Sequence, residues 1–131
     1  MDDAFLWLYK VKASLIAWPL EDNVDIVYAE IGHKVAQYRI QILLSDGGLI
    51  QCIERKRQID HCLVTELYSF HWQNAEGKLI RRWDNVQHHP EINTFPHHMH
   101  DHNEANVLPH MPVDVFDILR IVENDRDNLQ A

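Results

Sequence analysis

The chain has 131 residues, the size of one domain, and 46% of them are hydrophobic, too many for a disordered chain. Its formal charge of −8, with ten histidines neutral, excludes a surface that binds nucleic acid along its whole length, though not a local basic site. Asp2, Asp3, Lys10 and Lys12 exclude a secretion signal at the N-terminus, and no apolar stretch reaches the roughly 18–20 residues that span a bilayer. Cys52 and Cys62 lack metal-type spacing and read as reduced, buried thiols of a cytoplasmic protein.

Residues 3–17 read as a helix. Phe5, Leu8, Val11, Lys12, Leu15 and Ile16 recur at three- and four-residue spacing, Asp2 and Asp3 suit the N-terminal end, and Pro19 stops it. Trp7 and Trp18 are expected in the core or at its edge. From Val24 the period changes to two. Residues 24–30 form one strand, Gly32-His33-Lys34 a turn, and Tyr38, Ile40, Ile42 and Leu44 one face of a second strand. Asp46-Gly47 reads as a two-residue hairpin turn, followed by a strand over 49–57. That turn pairs Ser45 with Gly48, Ile40 with Ile53 and Ile42 with Gln51. Residues 61–72 form a long strand with apolar residues on both faces, expected to be central and covered on both sides. Asn74-Ala75-Glu76-Gly77 is a turn. Residues 78–83 form the last strand, which delivers Asp84 to the sheet's end. Pro112 or Asp114 opens a final helix with Val115, Ile118, Leu119 and Val122 as its apolar stripe, and residues 125–131 are expected to fray. The fold class is α+β: one domain over 1–131, an antiparallel sheet of about five strands, and an N-terminal and a C-terminal helix packed on one face.

Residues 81–100 carry the chemistry. Five histidines lie here, in the two segments His88-His89-Pro90 and Pro96-His97-His98 and at His100. Proline beside each His-His pair fixes the backbone, so the stretch reads as a shaped loop. Three uses of the imidazoles stay open. A metal site finds no HExxH and no cysteine set, and adjacent His-His side chains diverge, though His98 and His100 can point the same way. Proton transfer finds a complete set of groups: histidine as base and acid, Arg81 or Arg82 for phosphate, Asp84 to orient an imidazole. The third use is a cap over the sheet edge.

Four segments carry a family resemblance: Val11 to Ala17 with Pro19-Leu20; Leu44-Ser45-Asp46-Gly47; Thr65 to Gln73; and Arg81-Arg82-Trp83-Asp84-Asn85 with His88-His89-Pro90-Glu91, Thr94-Phe95-Pro96-His97-His98 and His100. The chain resembles the TumE family, toxin components of toxin–antitoxin pairs. The family's signature positions fall on Glu66, His71, Arg82, Trp83, Asp84, Asn85, His88, His89, His97, His98 and His100. One departure is Gln87, where the family's pattern has proline. The resemblance implies a cytoplasmic toxin, an antitoxin partner encoded by the neighbouring gene, and a homodimer. By analogy with other small toxins it implies a metal-independent ribonuclease without cofactor, acting on RNA through Arg82, Asp84, His88, His89, His97 and His98. The alternative is a non-catalytic histidine-rich module that binds a metal or a protein.

Overall fold

A computed structural model describes residues 2–19 and 21–129. Helix α1 (Asp3–Ile16) is followed by β1 (Asn23–Gly32), β2 (Val35–Leu43), β3 (Leu49–Ile59), β4 (Cys62–Gln73), β5 (Leu79–Asp84), β6 (His98–Asp101), β7 (Val107–Pro109) and helix α2 (Val115–Leu129). The seven strands lie in chain order and every neighbour is antiparallel, so the sheet is a meander. The α+β class holds, with seven strands where the sequence indicated about five.

Both helices pack on the same face. Tyr38, Ile40 and Ile42 of β2, Ile50 and Cys52 of β3, Tyr68, Phe70 and Trp72 of β4 and Trp83 of β5 are buried beneath them. Asp2 caps α1 by accepting from the Ala4 N–H at 2.8 Å. Its buried stripe is Ala4, Trp7, Leu8, Val11 and Leu15, so Phe5 and Ile16, one step off that stripe, are exposed. Trp7 and Trp18 are both core residues. The second helix continues through Asp125 to Leu129: Arg81 Nη1 lies 2.7 Å from Asp125 and Arg126 Nη1 lies 2.7 Å from the buried Asp22, while Gln130 and Ala131 fall outside the described residues.

Three further expectations are corrected. The β2–β3 hairpin pairs Ile42 with Ile50 and Ile40 with Cys52, one residue away from the expected register. Gly47 N–H donates to the Leu44 carbonyl and Gly47 has φ +90°, so three residues turn between Leu44 and Gly48 where two were expected. A one-residue slip would have turned Ile50 and Cys52 to the wrong face. Strand β4 is central but covered on one side only, since Leu67, Ser69 and His71 on its other face are half-buried. Cys52 is buried as expected, whereas Cys62 beside the Asp60-His61 turn is exposed; both are free.

Candidate active site

The site lies on the sheet face opposite the helices. Register places Ser69 of β4 beside Asp84 of β5 and Asp84 beside His98 of β6. The next row is His71, Arg82 and His100. Residues two apart on a strand share a face, so Arg82 and Asp84 project together, as do His98 and His100. Trp83 and Met99, between them, turn to the helix side, and Trp83 is fully buried there. Each strand thus anchors the site with an apolar residue through the back of the sheet.

Asn85 ends β5 and launches the loop. Its side chain accepts from the Tyr68 N–H at 3.0 Å and donates to the Glu66 carbonyl at 3.3 Å, standing in for a strand partner. Residues 85–97 then cross the sheet end in linked turns: Ile92 N–H donates to the His89 carbonyl, Phe95 N–H to Ile92 and His97 N–H to Thr94. The Phe95–Pro96 peptide is cis. Thr94 Oγ1 donates to the His97 carbonyl and accepts from the His110 N–H, tying the loop to the segment after β7.

Asp84 is the centre of the cluster. Its carboxylate accepts from the Val86 N–H at 3.0 Å and lies 2.9 Å from His98 Nε2, 3.6 Å from His100 Nε2 and 3.3 Å from Arg82 Nε. Asp84, His98 and His100 are all buried. The His89 ring packs edge-on over His98 and His100, with centroids 5.0 and 6.0 Å away. Ser69, Arg82, Asp84, Val86, His88, His89, His98 and His100 line an open cleft of about 280 Å³. Arg82 also grips Glu104 in a two-pronged pair, with Nη1 2.7 Å from Oε1.

The structure therefore brings Arg82, Asp84, His88, His89, His98 and His100 around one cleft. His97 lies apart: its ring stacks on Tyr68, and its Nδ1 is 2.8 Å from the Tyr68 hydroxyl. Burial, aided by His98, lowers the His97 pKa below the ordinary imidazole value. His71 is half-buried at the edge of the cluster, with Nε2 3.0 Å from Gln73 Oε1. Glu66 is exposed and pairs with Arg57 and Arg55, whose hydrogen bonds hold its carboxyl below the usual range. Glu104 and Ser69 were not singled out in the sequence. Ser69 stands two residues before His71 on one strand, which was a usable signal, whereas nothing local marks Glu104.

A family model described as toxin TumE matches residues 13–129, most of the chain. The chain belongs to the TumE toxin family. No curated protein and no solved structure matches it. The cluster residues from Ser69 to Glu104 all fall inside the TumE match, and membership implies an antitoxin partner. Among the described residues, no helix is long and apolar enough to cross a membrane.

Proposed function

We propose that this TumE toxin is a ribonuclease and that the cleft over Asp84 is where it cleaves. The observation that carries the reading is a buried carboxylate in contact with two imidazoles and a guanidinium, with two more histidines lining the open side. Cleavage transfers the 2′-hydroxyl proton to one imidazole as the 2′-oxygen bonds to phosphorus. The P–O5′ bond breaks as a second imidazole protonates the departing oxygen, leaving a 2′,3′-cyclic phosphate and a 5′-hydroxyl. His88 and His89 are the cleft imidazoles with exposure to solvent, and they take these two roles. His98 and His100 are positioning residues, held with Asp84 in the floor. Arg82 binds the phosphoryl oxygens and must first release Glu104, the exposed half of its pair.

The step balances without a metal, so it is tested on EDTA-treated protein with single-stranded RNA. Cyclic-phosphate ends that vanish in Asp84→Asn and His89→Ala support the reading. Intact RNA, or equal cleavage by both variants, sinks it. Two partners belong to the same proposal: an antitoxin from the neighbouring gene that masks the cleft, and a second copy paired along the outer edge of β1. That edge exposes Ile26, Val27, Tyr28 and Ile31. Sedimentation of the purified chain at two concentrations reads the dimer directly.

A further inference from the structure

The cluster has a feature that proton transfer does not require. His98 Nδ1 lies 2.9 Å from the Pro96 carbonyl oxygen, and His100 Nδ1 lies 2.8 Å from the Glu104 carbonyl oxygen. A carbonyl only accepts, so both Nδ1 atoms carry hydrogen and both Nε2 atoms turn inward. The Nε2 atoms meet the Asp84 carboxylate at 2.9 and 3.6 Å. A buried carboxylate beside those nitrogens needs positive charge there, which either a proton on an imidazole or one metal ion bound by all of them supplies. His89 completes the ring of donors: one nitrogen from each of His89, His98 and His100 lies within 4.8 Å of the others. An imidazole pinned through one nitrogen by a backbone carbonyl, with the other nitrogen bare, is how metal-binding histidines are held.

We propose that His89, His98 and His100, with Asp84 as the fourth ligand, form a site for one late divalent transition ion, zinc foremost. Three imidazoles and one carboxylate suit that class of ion and fill a tetrahedral shell. Bonds of about 2.1 Å place tetrahedral donors about 3.4 Å apart, so Asp84 and His98, now 2.9 Å apart, must part by about half an ångström, and the three imidazole nitrogens, now within 4.8 Å of one another, must close in by roughly an ångström. His89 supplies that movement, since it stands on the loop and its side chain is 30% exposed, while His98 and His100 are fixed in β6. With four protein ligands no position remains for water, and the ion occupies lone pairs that the ribonuclease reading leaves for protons. Loading therefore silences the cleft.

Metal binding is read without RNA, so its outcome is independent of the ribonuclease reading. Full-length protein without an affinity tag, stripped with a chelator, is titrated with Zn²⁺ by calorimetry and with Co²⁺ by visible absorption. One equivalent with a tetrahedral cobalt spectrum is expected. His89→Ala, a loop change that leaves the sheet intact, should weaken binding by at least about 100-fold, as befits loss of a direct ligand. His33→Ala with His102→Ala, which removes two exposed imidazoles, should leave it unchanged. Unaltered affinity in His89→Ala overturns the proposal, as does loss of binding in the double variant or no binding by the folded wild type at 100-fold excess of ion over protein, about 100 µM against about 1 µM. Circular dichroism establishes that each variant is folded.

Discussion

Replacing Glu54 with glutamine isolates one buried charge in the core. Glu54 sits under α2, where its Oε1 accepts from the Tyr38 hydroxyl and from the Val115 N–H at 3.3 Å. Burial pushes its carboxyl from an ordinary 4.5 up to about 7, against the opposing pull of the Tyr38 hydroxyl and Lys56. The folded protein thus holds a proton that the unfolded chain releases between those values. Stability from the neutral acid is fully present below pH 4.5 and is lost as pH rises through 7. The gap corresponds to about 3 kcal/mol, or roughly 10 °C in melting temperature for a chain of this length. Glutamine keeps one oxygen for both donors and has no charge to bury. Thermal melts of wild type and Glu54→Gln at pH 5, 6, 7 and 8 should diverge, the variant gaining on the wild type as pH rises. Histidines and surface carboxylates titrate in both proteins and cancel in the difference. Parallel melting curves across this range would show that Glu54 ionises normally and that the reasoning is wrong.

Three other expectations rest on local contacts. Asp22 is held below the usual carboxylate range despite its burial, because Arg126, the Ser45 N–H and the Trp18 indole all bond to it. Asp22→Ala should cost about 3–5 kcal/mol at pH 7 in urea unfolding, and the difference should shrink below pH 3.8 as the wild-type carboxyl takes up its proton. Gly47→Ala should lower the urea midpoint more than Gly77→Ala. Both glycines have positive φ, at a strain of roughly 1 kcal/mol, but at Gly47 the added Cβ also meets the Ala75 Cβ at 2.9 Å. Glu104→Ala frees the Arg82 guanidinium, and fluorescence anisotropy with a short RNA at low salt should show binding up to about fivefold tighter. Unchanged binding there would remove Arg82 from the phosphate-holding role.

The parts of the fold legible in the sequence are those whose buried face is apolar. Helix α1, β2 and β4 announce themselves through Leu8, Val11, Ile40, Ile42, Phe70 and Trp72 at the right periods. Strand β6 does not, because its inward rows are the site itself: in His98-Met99-His100-Asp101 only Met99 is apolar. Strand β7 is three residues ending in Pro109, tolerable only at the sheet's edge and too short to read. The site shared this blindness. Arg82 and Asp84 could be placed on one face from their spacing, but their cross-strand partners depended on a strand that looked like loop. His97 shows the converse. It belongs to a motif that reads as one unit, yet the backbone alternation sends His98 to the cleft and His97 to Tyr68.

The measurement that bears most directly on the central claim is growth after induction of the wild type and of Asp84→Asn, each alone and each with the neighbouring gene. Soluble protein and total RNA are followed in the same cultures. The Asp84-centred cleft predicts arrest with RNA breakdown for the wild type, relief by the neighbour, and normal growth for the soluble variant. Arrest by Asp84→Asn equal to that of the wild type would place the toxic action elsewhere on the molecule.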